Sequence, residues 1–128
     1  MTEAEMFEMA AIYIANSMTA FSIYLTVVSA YLVVTYIAGA NLSRLQTAIL
    51  STLFVVAASV TLMSFRTQSL AVIHFQGQLN EFNDVFSVIN APVAHNLSKV
   101  IMPLFGGGIL ASLYFMFDIR RKANRGSD

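Results

Sequence analysis

The sequence contains no cysteine. Disulfides, thiolate metal sites and cysteine nucleophiles are therefore excluded, and redox compartment cannot be inferred. Charge is also scarce: Asp, Glu, Lys and Arg make up only 11% of the chain, while 57% is hydrophobic. A soluble domain carries about twice that charged share. At 128 residues the chain is at most one domain, and so small a body in water could not hide so much apolar surface. What charge there is falls in clusters, the mark of a chain whose solvent is partly lipid.

Catalytic patterns are missing too. Glu81 and Asp84 are three apart, hence helix neighbours and not an opposed acid–base pair. Gly106-Gly107-Gly108 lacks the strand, lysine and hydroxyl of a phosphate-binding loop. His74, Glu81 and His95 are the only metal-ligand candidates, at a spacing that matches no ligand motif, so no metal or other cofactor is expected. Haem would want histidines within the membrane, and both histidines lie outside the apolar runs. The one basic cluster is short and abuts an apolar segment, which argues against nucleic acid. Asn41-Leu42-Ser43 and Asn96-Leu97-Ser98 match a glycosylation triplet that arises often by chance, and are discounted.

What is present is three uncharged stretches, between Glu8 and Arg44, Arg44 and Arg66, and Lys99 and Asp118. Each is long enough for the roughly 17–25 residues that cross a hydrocarbon core about 30 Å thick. Unpaired backbone groups in lipid are costly, so the spans should be helices. The expected fold is an all-α integral membrane protein with three transmembrane helices, over about 3–39, 44–66 and 93–121, with a basic tail over 120–128. Thr2 with Glu5, and Ser43 with Gln46, have capping-box spacing, and Gly39 fits a helix stop. Helices 1 and 2 then form a hairpin.

The stretch from Gln68 to Ile89 differs. Val72, Phe75, Leu79, Phe82, Phe86 and Ile89 recur at steps of three and four among polar residues, predicting an extracytoplasmic amphipathic helix over about 68–90. Asn90-Ala91-Pro92 should end it, because a residue preceding proline is pushed out of helical space. A straight helix from Arg44 to Ile89 would be about 69 Å long, whereas a return from Pro92 to Lys122 covers about 46 Å. The sequence therefore predicts a bend beyond Arg66, near Gly77. The amphipathic piece then lies on the outer interface or packs on a neighbouring chain.

Arg44, Arg120, Arg121, Lys122 and Arg125 fall at one end of the spans, against Arg66 and Lys99 at the other. The positive-inside rule places the C-terminus in the cytoplasm and the acidic N-terminus outside, in a cell membrane, with the bacterial inner membrane expected. An acidic leader with so long an apolar run reads as a retained helix and not as a signal peptide.

Helix 1 carries two hydroxylated stripes. Tyr13, Ser17, Ala20, Tyr24, Tyr31 and Thr35 share one face, and Thr19, Ser22, Thr26, Ser29 and Tyr36 the other. Helix packing is the favoured account. The sharper one makes a stripe the wall of a water-filled path in an oligomer. Two stripes on one helix point to self-association or a partner subunit. On helix 2, Ala48, Thr52, Ser59 and Arg66 share a face, and Arg66 reads as the charge that continues a transmembrane stripe, with Glu8 its nearest partner if it points inward. Snorkelling to the headgroups is its more ordinary role. In helix 3, Pro103 with Gly106, Gly107 and Gly108 suits close packing with a kink, or a hinge. Asp118 can pair with Arg121 or Lys122.

Three spans with an outside N-terminus and a basic inner tail resemble the topology of some phage holins. The likeness rests on no motif, and the long outer segment departs from it. The function expected is that of a small non-enzymatic membrane protein, a homo-oligomer forming an ion or solute pore. The alternatives are an accessory subunit binding through helix 1 and the outer helix and, more weakly, an enzyme subunit using the outer histidines.

Overall fold

The computed structural model describes residues 2–80 and 84–126, with side chains followed at 2, 4–75, 77–78, 96 and 99–126. Three helices make up the described chain: α1 (Glu3–Ala38), α2 (Arg44–Asn80) and α3 (Asp84–Arg125). No strand occurs among the described residues. All three helices contain a stretch long and apolar enough to cross a membrane: Ala4–Ala38, Arg44–Phe75 and Lys99–Arg125.

The caps form as the spacing predicts. The Thr2 hydroxyl accepts from the Glu5 N–H at 3.3 Å, and the Glu5 carboxylate accepts from the Thr2 N–H at 2.7 Å. Ser43 and Gln46 repeat the reciprocal pair at 2.9 and 3.1 Å. Each box satisfies N–H groups that the helix start leaves orphaned. Gly39 caps α1 in right-handed conformation (φ −55, ψ −35), donating to the Thr35 carbonyl at 2.9 Å. It is glycine because of crowding: a Cβ there would press on the Thr35 carbonyl and stand 3.4 Å from Ile119 Cγ2 on α3.

Helices α1 and α2 make the most extensive contact, and α3 packs on both. The core runs along the bundle axis through Tyr24, Tyr31, Phe54, Ala58, Phe105 and Met116. Outward faces are apolar too: Ile37, Leu45, Met63 and Leu110 are each about 70% exposed. A monomer in water rarely shows apolar surface of that extent.

One end of the bundle is tied by Arg120. Its guanidinium donates to the Leu42 carbonyl at 2.7 Å, to the Ser43 carbonyl at 3.3 Å and to the Thr47 hydroxyl. The C-terminal part of α3 is thereby tied to the α1–α2 connection. Two residues on, Lys122 pairs with Asp118 at 2.7 Å, one of the two pairings that helical spacing allows.

The segment 68–90 corrects the sequence expectation. It is not a separate amphipathic helix, because its first part continues α2 to Asn80 and its last part opens α3 at Asp84. Gly77 lies within α2, and no break follows Arg66. Asn90-Ala91-Pro92 lies inside α3 and does not end it. The geometric case for a bend assumed a return that starts at Pro92. A 42-residue α3 covers about 63 Å and the 37-residue α2 about 55 Å, so both can be straight. A proline inside a helix loses one hydrogen bond and crowds the preceding turn, but it does not have to end the helix. Phe82 and Glu81 lie outside the described residues.

Arg120→Ala should destabilise the bundle by about 1.5–3 kcal/mol, the usual range for a hydrogen-bonded charge. Arg121→Ala, at an exposed neighbour, should stay within about 0.5 kcal/mol. Reversible unfolding in mixed micelles reads both values.

Candidate functional site

The tyrosine face of α1 turns inward. Ala20, Tyr24, Tyr31 and Thr35 are buried, and Tyr13 and Ser17 are half-buried. The Tyr24 hydroxyl donates to the Phe105 carbonyl on α3 at 2.6 Å, with ring centroids 4.1 Å apart. Tyr31 shares a hydrogen bond of 2.9 Å with the Ser51 hydroxyl on α2 and stacks on Phe54, also at 4.1 Å. Tyr13 stacks on Phe75 at 5.5 Å. Tyr24 and Tyr31 thus satisfy their polar tips within the chain and put two rings in its core, while Tyr13 stacks at its margin.

Gly108 makes the Tyr24 contact possible. A Cβ at that position would stand 2.5 Å from the Tyr24 hydroxyl oxygen. Gly106 and Gly107 have no such neighbour within 4 Å. Of the three glycines only Gly108 is required by packing among the described residues, and Pro103 is exposed on a helix that runs through all four positions. The Ser112 hydroxyl, four residues on, bonds back to the Gly108 carbonyl at 2.7 Å.

Three buried polar atoms have no hydrogen-bond partner among the described residues: Ser17 Oγ, Thr35 Oγ1 and Gln68 Oε1. The pairs Tyr13–Phe75 and Tyr31–Phe54 set the α1–α2 register, which brings Ser17 and Gln68 to one level.

The opposite face of α1 points away from the bundle. Thr19, Ser22, Thr26, Ser29 and Tyr36 are all exposed. Thr19, Ser22 and Thr26 donate to the carbonyls of Ala15, Met18 and Ser22 at 2.9–3.0 Å, so the helix itself satisfies them. On α2, Ala48, Thr52, Ser59 and Arg66 are exposed as well. Arg66 therefore does not continue a buried stripe, and no ion pair joins it to the exposed Glu8 among the described residues.

The charge that does continue a buried stripe is Arg120. It extends the four- and three-residue steps Phe105, Ile109, Ser112 and Met116. Sequence reasoning counted it only towards orientation, although this spacing was there to be read. Phe105 was missed too: it is 1% exposed and packs against Phe21, Tyr24 and Phe65. Apolar composition on all sides of α3 hid which ring was central.

The outer polar residues do not gather into a site among the described residues. His74 is exposed and accepts from the Gln78 amide at 3.4 Å. Glu81 and the His95 side chain lie outside the described set. No cluster of three metal-ligating side chains occurs among the described residues. No family model, curated protein or solved structure matches the chain, so functional inference rests on its own residues.

Tyr24→Phe should cost about 0.6–1.5 kcal/mol. Gly108→Ala should destabilise the native chain through its clash with the hydroxyl, yet be nearly neutral beside Tyr24→Phe. A double-mutant cycle in micelles measures this, and additive effects would place the two residues apart.

Proposed function

We propose that this chain is a small non-enzymatic integral membrane protein that acts as a homo-oligomer, with α2 facing the assembly axis. In this arrangement all three helices cross the bilayer, the basic end lies in the cytoplasm and the acidic end outside, as in a bacterial inner membrane. The observation that carries the reading is the exposed α2 stripe of Ala48, Thr52, Ser59 and Arg66. The α1 tyrosine stripe is turned into the bundle, where Tyr24 and Tyr31 are bonded and Ser17 and Thr35 are covered, so it is withdrawn from a path shared between chains. The α2 stripe keeps small and polar groups on an outward face, which lets neighbouring backbones approach closely. Thr52 and Ser59 then line an ion or solute path, with Arg66 charging one mouth.

A second reading is an accessory subunit of a larger membrane complex. It is favoured by helix length: α2 and α3, at about 55 and 63 Å, outlast a core about 30 Å thick. Their surplus offers a rigid surface to another protein, and the outward hydroxyl stripe of α1 offers a second one within the membrane. Nothing among the described residues favours the enzyme reading through His74, Glu81 and His95.

Reconstituted into planar bilayers, the pure protein should conduct. Arg66→Glu should reverse the ion preference, while Tyr24→Phe should leave single-channel conductance unchanged. A monomeric, non-conducting protein would reject the pore, and a second protein co-purifying at fixed stoichiometry would favour the subunit.

A further inference from the structure

Between α1 and α3 lies an open groove of about 610 Å³, lined by Val28, Leu32 and Ile37 on one side and by Gly108, Ala111 and Phe115 on the other. Its volume falls in the range of roughly 300–1,000 Å³ typical of small-ligand sites. The lining makes few polar demands, because the Ser112 hydroxyl in its wall is already bonded to the Gly108 carbonyl. At one end the groove stops where Tyr24 meets Gly108 and where Phe21 and Phe105 fill the gap between the helices. Measured along α1 from Val28 to Ile37 it runs about 14 Å, close to half of a core about 30 Å thick. A neighbouring transmembrane helix would need a seat along the full depth. A half-depth groove suits one chain of one leaflet.

Charge at the open end decides the kind of lipid. Lys122 lies two turns beyond Phe115 on the same face of α3, with Arg121 and Arg125 beside it, all exposed. Arg120 is turned away onto the α1–α2 connection. Among the described residues of that end, Arg44, Arg120, Arg121, Lys122 and Arg125 stand against Asp118 alone, which pairs with Lys122 and leaves a net positive charge. An anionic headgroup meets complementary charge there, which a zwitterionic one does not.

We propose that this groove holds one acyl chain of an anionic phospholipid, with its headgroup on Arg121, Lys122 and Arg125. The proposal rests on the membrane reading above but not on the pore. The chain has no tryptophan, so Leu32→Trp, or the more exposed Val33→Trp, gives a single reporter in the groove. Leu104→Trp, exposed on α3 outside the groove, serves as the control. Each variant is reconstituted in phosphatidylcholine bilayers containing brominated phosphatidylglycerol or brominated phosphatidylcholine at equal fraction. Groove reporters should be quenched by the glycerol lipid at a fraction several-fold to about tenfold lower than by the choline lipid. The Arg121→Gln, Lys122→Gln and Arg125→Gln triple variant should remove that difference, and the control should not distinguish the lipids. Equal quenching of the groove reporters by both lipids overturns the proposal. Quenching of the control alone overturns it as well, by showing another protein chain in the groove. If no reporter is quenched, including the control, the membrane reading itself fails.

Discussion

A tyrosine hydroxyl removed from water must find an acceptor, and the hydrogen bond from Tyr24 to the Phe105 carbonyl sets how α1 meets α3. The acceptor is a backbone carbonyl in the middle of a helix, reachable only because Gly108, three residues on, has no side chain in the way. Once that contact is made, the other features follow in space. Phe105 becomes the aromatic centre shared by all three helices, through Phe21 and Tyr24 of α1 and Phe65 of α2. Fifteen residues further along α3, on the same face, Arg120 arrives over the turn that joins α1 to α2. Beyond Gly108 a groove lines the α1–α3 seam, and the two helices approach again where Gly39 meets Ile119.

The same economy governs several other hydroxyls, though not those of Ser17 and Thr35. Tyr31 pairs with Ser51, and Thr19, Ser22, Thr26 and Ser112 fold back on carbonyls of their own helices. Helices apolar enough to cross a membrane would, in lipid, have to provide nearly every polar partner themselves. Thr19, Ser22 and Thr26 therefore sit on an outward face beside Ile and Leu without offering open donors. The α2 stripe sets small and hydroxylated residues and one arginine on an exposed face, and it is there that we place a protein neighbour in the proposed assembly.

Three apolar helices, both capping boxes and the Gly39 stop were legible from residue type and spacing, because desolvation and end-capping act locally. The inward turn of the α1 tyrosines was half legible: the stripe was visible, but periodicity cannot tell a face bonded within the chain from one that lines a shared path. Arg66 and Arg120 exchanged roles because one lies on the outward side of α2 and the other extends a buried seam whose apolar surroundings concealed it. The stretch 68–90 misled for another reason. Its amphipathic pattern is real, but the pattern does not say where one helix ends and the next begins, and Pro92 was given more breaking power than a long helix concedes.

The central claim, that the tyrosine face of α1 is sealed inside a single chain, is tested most directly by ring-to-ring nuclear Overhauser effects between Tyr24 and Phe105. The sample is aromatic-labelled protein diluted with an excess of unlabelled chain before reconstitution. Intrachain packing predicts that the cross-peak keeps its full intensity per labelled molecule. Loss of the peak on dilution, or its absence beside a sharp and mobile Tyr24 ring, would contradict the account.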